Sequence, residues 1–174
     1  IGVGKIRVRH VDVYFADLPK PFDGYKILHV SDLHLGTFDG WRRTILENEM
    51  DSIKAQKVNL ICFTGDLQNM RPQEVLAMQN TIRPAMVGAI SVLGNHDYAE
   101  YVKHTPQIES QMMKQLLTYE RKNLGWAVLN NEHITIHNGN DSIVIVGTEN
   151  DGRPPFPQRA DWAKAFRKKK KNAF

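Results

Sequence analysis

Three short, mainly apolar runs recur before residue 94, and each leads into a polar, glycine-containing turn. The runs cover residues 26–30, 58–63 and 86–93. Each run is too apolar for a strand with a solvent-facing side, so we predict three central strands that lie parallel as neighbours in one sheet. Residues with helical spacing follow the turns, and this alternation predicts an α/β fold.

Four segments have the spacing of apolar residues that is typical of helices. Two of them connect the three central strands, a third covers residues 107–123, and a fourth covers residues 158–171. Pro72 opens the second helix, because proline is favoured in a first turn, and the third helix stops before Gly125. The apolar positions of the first three segments are Trp41, Ile45, Met50 and Ile53, then Val75, Leu76, Met78 and Ile82, then Met112, Leu116, Leu117 and Tyr119.

Alternating apolar and polar residues predict further strands outside this core. A change of phase near His10 indicates that residues 6–15 form one strand with a bulge or a bend. Three more short strands form a β meander after the parallel core, and the Asn-Gly-Asn-Asp cluster at residues 138–141 predicts a hairpin turn between the last two. These three strands cover residues 126–129, 134–137 and 142–146.

The composition is that of one compact soluble domain. The chain has 174 residues, of which 41% are apolar and 24% charged, and a chain of this size buries roughly 70% of its unfolded surface. Cys62 is the single cysteine, which excludes an internal disulfide, and its apolar neighbours favour a core thiol over a reactive one. The longest nearly apolar stretch, residues 85–93, is too short to form a membrane helix.

The positive charge is concentrated near one end of the chain. The formal net charge is +4, and a basic run at residues 167–171 accounts for this excess. Such runs bind polyanions or anionic lipids in some proteins, but more often they are the solvated end of a helix. We therefore expect no specific nucleic-acid partner.

Each central run ends in an unusual polar cluster, at residues 31–34, 64–67 and 94–97. The carboxyl ends of parallel strands open on one crevice, where ligands bind, so these clusters are expected to meet in space. Their carboxylates, imidazoles and amide oxygen suit Mn²⁺, Fe or Zn²⁺. The side chains collected there are Asp32, His34, Asp66, Asn95, His96 and Asp97.

Two details bear on this metal hypothesis. Asp32 and His34 alternate along the chain, so they can reach one ion only if the backbone turns sharply at the strand end. Asp66, which follows Gly65, could bridge two ions. The alternative is that each aspartate caps the helix after its strand, which is common at a single strand-to-helix junction. With three clusters converging, a metal centre is the favoured interpretation.

The three clusters resemble the signature of the calcineurin-like metallophosphoesterases, which is D-x-H, then G-D, then G-N-H-D/E. The corresponding residues here are Asp32-Leu33-His34, Gly65-Asp66 and Gly94-Asn95-His96-Asp97. Residues 30–36 and the long first strand are most similar to the bacterial membrane-associated branch of the family. The resemblance covers the chain from about Tyr25 to its end. It implies a layered α/β/β/α fold, of which this chain supplies the first half.

The resemblance implies a ligand role for four of these residues. Asp32 and His34 would hold a first metal ion. Asp66 would bridge this ion to a second one, which Asn95 would bind. A complete site would therefore hold two divalent ions, of Mn, Zn or Fe.

The resemblance also implies an enzymatic function. Two metal ions would activate a hydroxide that attacks the phosphorus of a phosphodiester or phosphomonoester substrate. His96 would face the scissile phosphate as a catalytic residue, with Asp97 orienting its ring. The alternative function is a non-catalytic module that binds metal or phosphate and acts through a partner.

The family pattern continues with a lone histidine and a G-H-x-H motif, but no histidine follows His137 in this chain. We therefore expect residues 1–174 to be one domain truncated before these motifs, inactive as an isolated chain and able to hold at most one ion weakly. The remaining histidines are not expected to replace the missing ligands. They are His10, His29, His104, His133 and His137.

The resemblance carries further expectations for the surroundings of the chain. The parent protein would be membrane-associated through a segment upstream of Ile1, whereas this fragment would be soluble. Faces that the missing half would cover are expected to be exposed or to pair in a dimer. Substrate choice is expected to depend on the loops at residues 37–41 and 98–106, as well as on the missing half.

Overall fold

A four-stranded parallel sheet forms the centre of the protein, in the computed structural model that describes residues 7–99, 101, 105–156, 158–167 and 174. The strands stand side by side in the order in which they occur along the chain. They are β1 (Ile27–Val30), β2 (Leu60–Phe63), β3 (Ile90–Ser91) and β4 (Ala127–Val128). The α/β class and the parallel arrangement of the three predicted central strands are therefore confirmed.

Helices connect these strands and cover one face of the sheet. They are α1 (Arg43–Ala55), α2 (Gln73–Met86) and α3 (Pro106–Thr118), and α3 continues into a π-helical turn at Tyr119–Leu124. Helix α2 follows Pro72 as predicted, and Gly125 ends the π-helical turn with a left-handed φ of 76°, which glycine adopts without strain. The main core lies between helices and sheet, and its fully buried members include Leu46, Met50, Phe63, Ile82, Leu116 and Leu124.

A β-hairpin packs on the opposite face of the sheet. Strands β5 (Glu132–Asn138) and β6 (Asp141–Gly147) pair antiparallel around the predicted turn. A second apolar cluster joins Leu60, Ile90 and Leu129 to hairpin residues such as Ile145. The layer order is thus helices, parallel sheet and hairpin, in agreement with the expected layered fold. Cys62 belongs to this second cluster, and burial raises the pKa of its thiol, as expected for an unreactive core cysteine.

The N-terminal strand prediction is wrong for the part of it that the structure describes. Residues 7–15 form no strand, and Val11, Val13 and Tyr14 are exposed. A strand needs a hydrogen-bonded neighbour, and no other described segment pairs with this one. The first residue of the predicted strand, Ile6, lies outside the described part of the chain.

Two further strand predictions need correction. Only residues 90–91 of the predicted run 86–93 are a strand, because Met86 ends α2 and Gly88 turns the chain with a φ of 80°. The run is mainly apolar because the end of the helix and the strand are both buried. The apolar pattern therefore could not show where the helix ends and the strand begins. The predicted meander strand at 126–129 instead joins the parallel sheet, where Ala127 stands beside Ile90.

In the part that the structure describes, the last predicted helix, at residues 158–171, is shorter than expected. Helix α4 covers only Trp162–Ala165, where the Asp161 carboxylate accepts a hydrogen bond from the Lys164 amide at 2.9 Å. The chain before it runs back on itself, since Asp151 and Gln158 form an isolated antiparallel bridge. Residues 168–171, which make up most of the basic run, lie outside the described part of the chain. In the described ranges, no helix is both long enough and apolar enough to cross a bilayer.

Candidate metal centre

The loops that follow β1 and β2 turn sharply and hold each other in place. Asp32, His34 and Asp66 have left-handed φ angles of 57°, 44° and 58°, a conformation that costs a non-glycine residue about 1–2 kcal/mol. The Asp32 amide donates to the Gly65 carbonyl at 3.0 Å, and the His34 amide donates to the Asp66 carbonyl at 2.9 Å. These turns aim alternating side chains at one point, as the spacing of Asp32 and His34 requires.

Two glycines allow the loops after β2 and β3 to approach each other. A Cβ atom on Gly94 would lie 2.2 Å from Asp66 Oδ1, and one on Gly65 would lie 2.2 Å from the Gly94 nitrogen. Gly94 has a φ of −90°, which any residue adopts, so its backbone conformation does not require glycine. A larger residue is excluded because Asp66 leaves no space for a Cβ atom. The glycines of the second and third motifs therefore act as spacers.

The side chains of His34, Asp66 and His96 meet at this junction. Each residue offers one ligand atom, and these atoms lie within 4.8 Å of one another. His34 Nε2 is 3.8 Å from Asp66 Oδ2 and also 3.8 Å from Asp32 Oδ1. The side chains of His34 and Asp66 are only 9% and 12% exposed, whereas that of Asp32 is 64% exposed, so the cluster is open on the side of Asp32.

These distances fit a divalent transition metal. A separation of 3.8 Å is too long for a hydrogen bond, but it is shorter than two metal–ligand bonds of about 2.1 Å laid end to end. Imidazole and carboxylate donors without a thiolate suit Mn, Zn or Fe. The chemistry of the donor set thus agrees with the metal hypothesis.

The imidazole of His96 is held by contacts on three sides. Its Nδ1 lies 2.9 Å from the Asn69 carbonyl, which fixes the proton on that nitrogen and leaves Nε2 as the acceptor of the neutral ring. The ring of His34 meets it edge-on, with centroids 4.7 Å apart. The ring of Tyr101 stacks on it with centroids 4.2 Å apart. The His96 amide also donates to Asp66 Oδ1 at 2.9 Å, which connects the second and third motifs.

The carboxylate of Asp97 is buried beneath this cluster and binds backbone amides. Its Oδ2 accepts hydrogen bonds from the amides of Asp66 and Gly94, and its Oδ1 accepts from those of Leu67 and Gln68. Burial raises the pKa of Asp97 to about 7, while the amide hydrogen bonds lower it. We expected Asp97 to orient the ring of His96, but the described hydrogen bond to that ring comes from Asn69.

Asn95 lies next to His96, and its side-chain amide donates to the hydroxyl of Tyr101. The role of Asn95 as a metal ligand stays a prediction. Of the other histidines, His29 bonds Thr64 Oγ1 at 2.6 Å and His133 bonds the Ala165 carbonyl at 2.8 Å. His104 lies outside the described residues.

Sequence reasoning missed three residues that support the site. Asn69 acts through its backbone carbonyl, which leaves no signal in the sequence. Glu74 accepts hydrogen bonds from the amides of Asn69, Met70 and Arg71, and an acidic residue in the first turn of α2 is a recognisable capping signal. Tyr101 falls in the loop 98–106 that was expected to govern substrate choice, but nothing marked its ring as a neighbour of His96.

Two metallophosphoesterases of uncharacterised function are similar to this chain. A protein from Aquifex aeolicus (strain VF5) is 30% identical over 155 residues, which are 85% of this chain and 51% of that protein. Bacillus subtilis (strain 168) YkuE is 33% identical over 89 residues, which are 48% of this chain and 30% of that protein. The chain thus spans about half the length, or less, of these relatives.

The chain also matches a family of known chemistry, the calcineurin-like phosphoesterases. The match covers residues 25–173, which includes the sheet, the hairpin and all three polar clusters. The family is generally metal-dependent, and the described donor cluster agrees with that property. This chain belongs to the calcineurin-like phosphoesterase family.

Proposed function

We propose that this chain carries the N-terminal half of an active site that uses metal ions to hydrolyse phosphodiesters or phosphomonoesters. The observation that supports the proposal best is the cluster of His34, Asp66 and His96, with Asp32 beside it at the carboxyl end of the parallel sheet. A metal-dependent phosphoesterase must bind both a metal and a phosphoryl group, and this cluster is partly open to solvent on the side of Asp32. The family relationship supports the same reaction class.

The site residues have two kinds of proposed role: some bind the metal ions, and one faces the phosphoryl group of the substrate. Asp32, His34 and Asp66 would hold one divalent ion, and Asp66 with Asn95 would contribute to a second in the complete site. A bound metal supplies Lewis acidity toward phosphoryl oxygens and lowers the pKa of water.

His96 keeps Nε2 available because Nδ1 faces Asn69. As an imidazolium it would donate from Nε2 to a phosphoryl oxygen or give that proton to the leaving group. The proton on Nδ1 fixes the tautomer in which Nε2 is an acceptor. Asp97 contributes by holding the loops, through the four amides that it binds.

The test is hydrolysis of bis(p-nitrophenyl) phosphate with Mn²⁺ by the full-length protein that contains this chain. Asp66→Asn removes the shared ligand and is expected to lower activity by more than the roughly 10–100-fold that changes around a metal site cost. Asp51→Asn is the matched control, because Asp51 is exposed on α1 and pairs only with Lys54 in the described structure. It is expected to leave activity unchanged.

A different result would favour the alternative function. If the full-length protein binds Mn²⁺ but hydrolyses neither diester nor monoester substrates, a non-catalytic module that binds metal or phosphate is the better description. If Mn²⁺ binding, phosphate binding and hydrolysis are all absent, both functions are excluded.

We also propose that the full-length protein is membrane-associated, on the resemblance of residues 30–36 to the membrane-associated branch of the family. Fractionation of cells that express the whole gene tests this, and recovery of the protein wholly in the soluble fraction contradicts it.

Pairing of two copies through exposed apolar faces is a related proposal, which sedimentation analysis of the chain tests. We propose phosphate esters as the substrate class, and the family relationship supports this proposal.

A further inference from the structure

We infer that Tyr101 is a positioning residue, which sets the side-chain orientations of both Asn95 and His96. The inference rests on the proposed function, because it concerns residues of that site. Tyr101 belongs to none of the three sequence motifs, and its side chain is 44% exposed. It contacts two motif residues at once, one through its hydroxyl and one through its ring.

The hydroxyl of Tyr101 selects one orientation of the Asn95 amide. An asparagine side chain has a donor end, the NH₂ group, and an acceptor end, the carbonyl oxygen. The Asn95 NH₂ group donates to the Tyr101 hydroxyl. The carbonyl oxygen, which is the only end that can bind a cation, is therefore left available to the site.

The ring of Tyr101 fixes the plane of the His96 imidazole. The two rings stack with an interplanar angle of 16°, while the ring of His34 approaches the same imidazole edge-on at 84°. The Asn69 carbonyl holds Nδ1, so rotation of the imidazole would break three contacts together. Tyr101 is the most exposed of these three partners of the imidazole.

The neighbouring Tyr98 does not share this role. Tyr98 is buried. Its hydroxyl accepts a hydrogen bond from the Asn150 amide and donates one to Glu149. These two bonds join the third motif to the segment after β6. Tyr98 thus stabilises the fold around the site, whereas Tyr101 contacts the site residues themselves.

The hydrogen bond is tested first in the metal-free chain by NMR of side-chain amides. The Asn95 NH₂ protons are expected to exchange with solvent about 10-fold more slowly than those of the exposed Asn48, because a hydrogen bond protects them. In Tyr101→Phe, which keeps the ring and loses the hydroxyl, this protection is expected to disappear. Retained protection in Tyr101→Phe would overturn the inference.

The positioning role is tested with Mn²⁺ and bis(p-nitrophenyl) phosphate in the full-length protein. Tyr101→Phe is expected to lower kcat about 10-fold at nearly constant KM, and excess Mn²⁺ is expected to restore part of the loss, because only the Asn95 orientation is affected. Tyr101→Leu removes the ring as well, so its loss of kcat is expected to be larger and not restored by Mn²⁺.

A matched control and a stability measurement complete the test. Tyr14→Phe, at a residue that is 88% exposed, is expected to change neither kcat nor amide exchange. Loss of activity in Tyr101→Phe that is matched by a fall in Tm and unaffected by Mn²⁺ would show a merely structural role and overturn the inference, as would unchanged kcat. Absence of hydrolysis in the wild-type protein would instead refute the proposed function, and the inference with it.

Discussion

His96 shows how several weak contacts can fix the orientation of one side chain. The Asn69 carbonyl, the His34 edge and the Tyr101 face each restrict a different motion of its imidazole. Its backbone amide is bonded to Asp66 as well, so the residue is held at both ends. A side chain held in this way loses little entropy when a phosphoryl group binds, which favours catalysis by pre-orientation.

Replacement of His96 distinguishes a phosphoryl-facing residue from a metal ligand. His96→Asn is expected to lower kcat of the full-length protein by about 100-fold or more, because proton transfer and hydrogen bonding to the phosphoryl group are lost. The affinity of the chain for Mn²⁺, measured by calorimetry, is expected to stay nearly constant. His137→Asn, on the exposed side of β5, is the control. Loss of Mn²⁺ binding in His96→Asn would assign the residue to the metal instead.

The loops after β2 and β3 form one unit because a single carboxylate bonds both. Asp97 accepts amide hydrogen bonds from residues on either loop, and it is 1% exposed. Hydrogen bonds to a buried charged group are worth about 1.5–3 kcal/mol each. The geometry of the metal cluster therefore depends on a residue that does not point into it.

Asp97→Asn is expected to destabilise the protein by about 3 kcal/mol or more. The new NH₂ group would face two backbone amides that need an acceptor, and these donors would stay unpaired in a buried position. Urea unfolding measures the change, with Asp51→Asn as the exposed control. A variant of unchanged stability that nevertheless loses kcat would support the role that we first expected for Asp97, which is to orient the ring of His96.

The π-helical turn after α3 buries a second carboxylate. Glu120 is 1% exposed and accepts a hydrogen bond from the Ser91 hydroxyl at 2.6 Å, on the strand that leads to the third motif. Burial raises its pKa to about 8, with a further contribution from the charge of Asp97. The folded state therefore holds this proton up to a higher pH than the unfolded state does.

This difference predicts a fall in stability with rising pH. Between the ordinary glutamate pKa of about 4.5 and the folded-state value of about 8, the folded protein binds more protons than the unfolded one, so its free energy of unfolding decreases as pH rises. Glu120→Gln is expected to weaken this dependence and to be more stable than the wild type at pH 8 by at least about 1 kcal/mol. Chemical unfolding at pH 5 and pH 8, with the exposed Glu47→Gln as control, tests it. Parallel pH profiles for Glu120→Gln and the wild type would contradict it.

The layered architecture places all the candidate metal donors at one edge of the parallel sheet. Helices cover one face and the hairpin covers the other, so the carboxyl ends of the strands are where the loops can meet. Asp32, His34 and Asp66 are contributed by the first two strands, and Asn95 and His96 by the third. His34, Asp66 and His96 have ligand atoms within 4.8 Å of one another, and Asp32 lies 3.8 Å from His34, whereas a second ion would have only Asp66 and Asn95 as expected ligands.

We therefore expect this chain to bind at most one divalent ion, and to bind it weakly. Transition-metal sites normally have at least three protein ligands, and the second site keeps two. Metal analysis of the chain after dialysis against Mn²⁺ provides the measurement, with Asp32→Asn expected to lower the bound fraction further. Two equivalents per chain would show that another histidine, or a second copy of the chain, completes the site.

Local patterns were sufficient for the central strands, the helices that connect them and the hairpin turn. Continuous apolar runs, Pro72, Gly125 and the Asn-Gly pair are all signals carried by neighbouring residues, so they can be recognised without knowledge of the fold. The convergence of Asp32, His34 and Asp66 could also be predicted, because it follows from a general property of parallel sheets.

Contacts between distant segments decided the rest. Residues 126–129 have the same apolar pattern in a meander as in a parallel sheet, and the choice depended on the open edge of β3. Residues 7–15 alternate like a strand, but alternation does not supply a hydrogen-bonding neighbour. Most of the amides that Asp97 binds are likewise distant from it along the chain. The partners of Tyr101 are close to it in sequence, but spacing does not encode the directions in which their side chains point. Side-chain orientation at the site is thus a property of the packed loops, whereas the identity of its donors is already present in the order of the residues.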